Sequence, residues 1–126
     1  MSHRSTAIYH IAERSHWEAD SGAYTPPGYA SEGFVHCSTW VQLPGVARAL
    51  FAGREDLVVL EIDPAALAAP VVFEDLYDAG DEFPHVYGAV RREAVRAVLE
   101  LRWPLPGEPA IVRASSNKLS SQDLLH

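Results

Sequence analysis

The order of hydrophobic and polar residues along this chain predicts several strands and few helices. The strongest apolar run covers residues 57–63, and its nearly continuous character predicts a central strand that is buried on both faces. Other strands are predicted at residues 7–11, 33–38, 71–74 and 95–103, with a short extended piece at 86–88. Helices are predicted at residues 14–20 and 41–52, and single helical turns at 64–67 and 91–94. This mixture predicts an α+β fold with mostly antiparallel strands and two or three helices.

The chain is expected to form one domain, because 126 residues suit a single hydrophobic core and no linker or repeat divides them. The domain is predicted to cover residues 1–104, with its core at about residues 7–103. From residue 105 onward the sequence becomes polar and rich in serine. Residues 105–126 are therefore predicted to form a flexible C-terminal tail.

Composition narrows the possible functions. The net charge of −7 disfavours general binding to nucleic acids, whose phosphates an acidic surface repels. No apolar run approaches the roughly 18 residues of a membrane span, and the first residues lack the apolar stretch of a secretory signal. A cytoplasmic location without membrane association is therefore expected. The single cysteine, Cys37, excludes an intrachain disulfide and agrees with this location.

Three histidines occur on or beside predicted strands, and strand alternation indicates which neighbours share their faces. His10 shares a face with Ile8. His36 shares a face with Ser38, while Cys37 points to the opposite side. His85 shares a face with Tyr87 if that segment is extended. The alternation therefore predicts a pocket lined by five residues: His10, His36, Ser38, His85 and Tyr87.

Histidine both donates and accepts hydrogen bonds near neutral pH, so these side chains suit the binding of ribose hydroxyls or acid–base chemistry. A small-molecule pocket fits best, because ligand sites are mostly apolar with few polar groups. A metal-dependent hydrolase is a weaker alternative, since no two histidines have the spacing of local zinc ligands, and no metal is expected. A Cys37–His36 dyad is disfavoured because the two side chains point to opposite faces. Each histidine could instead satisfy only nearby backbone groups.

Several segments resemble a known family, the domain-of-unknown-function family 952. The resemblance covers about residues 7–103 and is carried by Gly-Phe-Val-His-Cys-Ser at 33–38, by Phe-Pro-His-Val-Tyr-Gly at 83–88, and by matching residues at 8–11, 22–24, 42–43 and 60–63. That family has been grouped with the ADP-ribosyltransferase-like superfamily, whose members bind NAD in a cleft between two small antiparallel sheets. The resemblance therefore implies two small packed sheets and a pocket for NAD or a related nucleotide.

The resemblance also implies roles for individual residues. His10 corresponds to the first-strand residue that contacts the nicotinamide ribose, and His36 to the residue that packs on the nicotinamide. His85 falls near the third position, where the superfamily usually has a carboxylate; Glu61, Glu74 and Glu82 are candidates to replace that group. The resemblance thus implies His36 and His85 as catalytic residues, and as cofactor-binding residues His10, His36, Ser38 and Tyr87. The implied function is binding or transforming NAD or an ADP-ribose-like nucleotide, with a noncatalytic ligand-binding or regulatory module as the alternative.

Overall fold

The computed structural model describes residues 6–19 and 22–113. Strands in these ranges are β1 (Ile8–Glu13), β2 (Val35–His36), β3 (Leu57–Ile62), β4 (Val71–Glu74), β5 (Phe83–Val86), β6 (Val95–Leu105) and β7 (Glu108–Arg113). The helices are α1 (Arg14–Glu18), α2 (Tyr29–Glu32) and α3 (Leu43–Phe51), and short 3-10 turns cover Pro64–Ala66 and Arg92–Ala94. The predicted α+β class with antiparallel strands is confirmed.

The strands form two antiparallel sheets. The larger sheet has the order β1-β3-β6-β7, and the smaller has the order β2-β5-β4. β3 lies between β1 and β6, and all six of its residues are buried. The prediction of a central strand buried on both faces is therefore confirmed, and the reason is that each face of β3 packs against a different layer.

Alternate residues of β3 divide between two hydrophobic cores. Val58 and Leu60 face the smaller sheet and share a core with Val35 and Val86 of that sheet. On the opposite face, Leu57 and Val59 pack with the buried side of α3, which is formed by Leu43 and Ala47. The larger sheet is thus the middle layer, with α3 on one side and the smaller sheet on the other.

The turn that leads into α3 is closed by two residues that bond to each other's backbone. The Gln42 N–H donates to the Thr39 hydroxyl at 3.2 Å, and the Thr39 N–H donates to the Gln42 side-chain oxygen at 2.9 Å. This is the reciprocal pattern of a capping box. Pro44 lies in the first turn, where its missing N–H costs little. No helix among the described residues is long and apolar enough to cross a membrane.

The predicted domain boundary at residue 104 is wrong. β6 continues to Leu105, and a turn with Gly107 at a φ of 76° leads back into β7. A proline followed by a glycine in the left-handed region, as at Pro106 and Gly107, is the pattern of a type II turn. Ile111 of β7 then packs against the α3-side core. The chain up to residue 113 is thus part of the domain, while residues 114–126 of the predicted tail lie outside the described residues.

Candidate functional site

A cavity of about 590 Å³ opens beside the line where the two sheets meet. This volume is in the usual range for small-molecule sites, roughly 300–1,000 Å³. The wall contains apolar side chains from β1 and α3 and the two prolines of the 24–28 loop. Its polar members include His10, Tyr24, Glu32, His36, Ser38 and His85.

The segment that follows β2 explains why three histidines from distant parts of the chain meet here. His36 is the direct cross-strand neighbour of His85 in the smaller sheet. Two residues later the chain joins the larger sheet through two backbone hydrogen bonds. The Tyr9 N–H donates to the Ser38 carbonyl at 2.8 Å, and the Ser38 N–H donates to the Tyr9 carbonyl at 2.7 Å. Residues 36–38 therefore belong to both sheets, and His10 follows Tyr9 directly.

His10 is buried and uses both of its ring nitrogens. Its Nδ1 lies 2.6 Å from the His36 carbonyl oxygen, and its Nε2 lies 3.1 Å from the Tyr24 hydroxyl. A carbonyl can only accept, so Nδ1 carries the proton and Nε2 accepts from Tyr24. Burial is the main cause that lowers the pKa of His10 to about 4; the bond to the His36 carbonyl opposes this shift, and the nearby His36 side chain adds to it. The ring is therefore neutral at neutral pH and fixed in one tautomer.

His36 is half-exposed and is paired with a carboxylate from α2. Its Nε2 lies 2.9 Å from Glu32 Oε1, and the Tyr77 hydroxyl lies 3.4 Å from the other oxygen of Glu32. The Tyr77 ring also stacks on His36, with ring centroids 5.9 Å apart. Gly33 makes this pairing possible, because its φ of 85° turns the chain from α2 into β2 within one residue.

His85 is almost fully buried and is paired with a second carboxylate. Its Nδ1 lies 2.9 Å from Glu74 Oε2, and the Tyr87 hydroxyl donates to the same oxygen. These two bonds, first that from Tyr87 and then that from His85, lower the pKa of Glu74. Phe34 stacks on the His85 ring at 4.3 Å between centroids, with 22° between the planes. The His36 and His85 rings lie 5.4 Å apart, so two histidine–carboxylate pairs are neighbours.

Four of the five residues predicted for the pocket line the cavity: His10, His36, Ser38 and His85. Tyr87 is not in the cavity wall, and it reaches the site through its bond to Glu74. Cys37 is buried, and burial strongly raises the pKa of its thiol, as suits a residue that packs rather than reacts. Among residues 6–19 and 22–113, no group of three or more His, Cys, Asp and Glu side chains is arranged to hold a metal ion.

The two carboxylates in the cavity wall, Glu13 and Glu32, are not among the three candidates predicted from the sequence. Of these three candidates, Glu61 is bound to Tyr9 and Arg113, and neither Glu61 nor Glu82 is part of the cavity wall. Glu74 is the partner of His85, whereas Glu32 is the carboxylate that lines the cavity beside His36. Glu32 is four residues before His36, but this spacing brings the two side chains together only because the chain turns at Gly33. His16, which had no predicted role, also lines the cavity.

Comparisons with known proteins place the chain in a family of unknown function. The family described as "Protein of unknown function (DUF952)" matches residues 11–98. No curated protein matches the chain. The chain is similar to the crystal structure of protein CC0527 from Caulobacter crescentus, with a TM-score of 0.74, 26% identity, and coverage of 91% of this chain and 99% of that chain. A crystal structure of a double mutant of CC0527 gives a TM-score of 0.73 and 25% identity at the same coverage. The solution structure of CC0527 gives 0.64 and 24%, covering 89% of this chain and 96% of that chain.

Proposed function

We propose that this chain, which belongs to the DUF952 family, binds a small molecule of the nucleoside class in the histidine-lined cavity, with NAD or an ADP-ribose-like nucleotide as the first candidate. The observation that carries the proposal is that His10, His36 and His85, from three different strands, converge on one cavity of about 590 Å³. Such a cavity combines a large apolar wall with few polar groups, as small-molecule sites do.

The hydrogen bonds of the three histidines support binding of a hydroxyl-rich ligand. His10 is neutral and both of its ring nitrogens are bonded, so it lines the cavity but has no free nitrogen to offer. Of the predicted pocket residues in the wall, His36, His85 and Ser38 remain for a ligand. A ribose, with several hydroxyls that each donate and accept, matches imidazole nitrogens and a serine hydroxyl.

The charges of the wall favour the nucleoside part of such a ligand over its phosphates. Among the described lining residues there is no lysine or arginine, whereas Glu13 and Glu32 are present. Glu13 is already paired with Arg54 at 3.0 Å, so Glu32 is the carboxylate that acts most directly on a ligand. A phosphate inside the cavity would meet this charge without a cation. The base and ribose therefore lie inside in our proposal, and the phosphates remain at the solvent-exposed mouth.

An ADP-ribosyltransferase-like activity is part of the same proposal. Two antiparallel sheets with a cavity beside their junction are compatible with it. Such chemistry needs a carboxylate near the ribose, where positive charge develops. Glu32 takes this role in our proposal, because it lines the cavity beside His36. The alternative is a noncatalytic ligand-binding or regulatory module that uses the same cavity.

Thermal unfolding and calorimetry with NAD, ADP-ribose, adenosine and nicotinamide test the binding proposal. A ligand at one hundred times its Kd stabilises the native state by about 2.7 kcal/mol, which raises the melting temperature measurably. His36→Ala is expected to reduce this effect, and Leu105→Ala serves as the matched control because Leu105 is exposed outside the cavity. If none of the four compounds stabilises the wild-type protein, the nucleoside proposal is refuted. Release of nicotinamide from NAD by wild type but not by His36→Ala would identify an enzyme, and binding without release would identify a module.

A further inference from the structure

A line of hydrogen bonds in the smaller sheet ends at the cavity. The carboxylate of Glu74 accepts from the Tyr87 hydroxyl and faces Nδ1 of His85 at 2.9 Å. An ionised carboxylate can only accept hydrogen bonds, so the proton between Glu74 and the ring belongs to Nδ1. In a neutral imidazole the other nitrogen, Nε2, then carries a lone pair and no proton.

The Nε2 atom of His85 is open to the cavity. Within the described ranges it makes no hydrogen bond, although both nitrogens of His10 do. No buried side-chain nitrogen or oxygen in these ranges lacks a partner, so an unbonded Nε2 has to reach accessible surface. His85 forms part of the cavity wall, and only 2% of the residue is accessible. The accessible part of the ring therefore contains this nitrogen.

The ring is also held firmly in place. Phe34 stacks on it, and the backbone of His85 is paired with Val72 on one side and with His36 on the other. Because β5 is the central strand of the smaller sheet, neither neighbour can shift without breaking the sheet. A base that is held by packing and by an orienting carboxylate pays little reorganisation cost when it accepts a proton.

We propose that Glu74 and Tyr87 hold His85 as a general base that accepts a proton at Nε2 from a hydroxyl group of the bound ligand. The ligand's O–H bond breaks, the Nε2–H bond forms, and the electron pair stays on the oxygen, which becomes a nucleophile. Glu74 stabilises the resulting imidazolium. The substrate class is therefore a molecule with an accessible hydroxyl, and naming it as the ribose of a nucleotide rests on the proposed function. His85 is the catalytic residue, and Glu74 and Tyr87 are positioning residues.

Nitrogen NMR on histidine-labelled protein without ligand tests the tautomer. We expect His85 to be protonated at Nδ1, whereas an unrestrained imidazole prefers the proton on Nε2. Glu74→Gln is expected to lower the fraction of His85 protonated at Nδ1, because an amide can donate to Nδ1 as well as accept from it, whereas a carboxylate can only accept. Glu32→Gln is the matched control, since it changes the partner of His36 and is expected to leave His85 unaltered. A wild-type His85 protonated at Nε2 would overturn the proposal, without any need for the variants.

Titration with ADP-ribose separates this inference from the proposed function. We expect the Nε2 resonance of His85 to move as it accepts a hydrogen bond, and Glu74→Gln to weaken binding by about tenfold. If calorimetry shows binding while the Nε2 resonance stays still, the His85 assignment is overturned and the binding function stands. If ADP-ribose does not bind but His85 keeps its proton on Nδ1 only while Glu74 is present, the nucleotide proposal fails and the positioning of His85 is supported.

Discussion

Replacement of His10 by asparagine is expected to make the protein less sensitive to acid. His10 is neutral and buried in the folded state, with a pKa lowered by burial from 6.5 to about 4. In the unfolded chain the same group binds a proton near its ordinary pKa. Between these two values the unfolded state holds more protons than the folded state, so stability falls as the pH falls. Asparagine does not titrate, and it offers an N–H close to the place of Nδ1, which bonds to the His36 carbonyl.

The two pKa values of His10 set the size of the effect. Each pKa unit is worth 1.36 kcal/mol, so the full loss, completed below about pH 4, is about 3 kcal/mol. At about pH 5 most carboxylates are still ionised, and linkage then gives a loss of about 2 kcal/mol relative to about pH 7.5. At the higher pH the variant is expected to be less stable than wild type by about 1 kcal/mol, because Tyr24 loses its acceptor.

Urea unfolding of both proteins at about pH 7.5 and about pH 5 measures this difference. The free energy of unfolding of wild type should fall by about 2 kcal/mol more than that of His10→Asn across the interval. Unfolding should be followed by both circular dichroism and fluorescence, to establish that the transition has two states. Equal losses in the two proteins would refute the reasoning, because His10 would then carry the same charge in the folded and unfolded states.

Three further predictions concern other parts of the domain. Gly88→Ala should destabilise the protein by about 1–3 kcal/mol, because the new Cβ would lie 2.5 Å from the Cβ of Ala69. Gly45→Ala in α3 is the control; its new Cβ would meet no atom within 4 Å, so the change should be neutral or stabilising. Urea unfolding measures the free energy of unfolding of both variants. Arg113→Ala should cost about 1–3 kcal/mol in the same assay, because the buried carboxylate of Glu61 loses two hydrogen bonds. An unchanged free energy of unfolding would mean that this ion pair does not stabilise the fold. Cys37 should resist a thiol-specific disulfide reagent in the folded protein, because the thiol is buried and burial raises its pKa. It should react fully after urea unfolding, and fast labelling of the native protein would contradict this prediction.

The sequence predicted most of the elements because its signals were local. The apolar run of β3 and the alternation around His10 each depend on a few consecutive residues, and both predictions are confirmed. The hairpin of β6 and β7 was missed because the chain from residue 105 onward was interpreted as one polar, serine-rich tail. Pro109 lies in β7, an edge strand, where the absence of a backbone N–H is tolerated.

Other parts of the fold and site depend on long-range geometry that no short pattern contains. Val95 and Leu99 are four residues apart, a spacing that places both on one face of a regular strand. A register shift opposite residues 61 and 62 instead turns Val95 into the core between the sheets, while Leu99 packs on the α3 side. The pairing of His85 with Glu74 requires that β4 and β5 become neighbours, which strand propensity alone does not determine. For the same reason the cavity could be predicted as a set of histidines but not with its carboxylate partners.

At position 36, the backbone helps to join the two sheets, while the side chain faces the cavity. His10 Nδ1 binds the backbone carbonyl of residue 36, and every amino acid supplies that carbonyl. The side chain at position 36 could therefore be exchanged during evolution while this link between the sheets is retained. A single substitution at this position would therefore change the polar wall of the cavity without requiring a new way to join the two sheets.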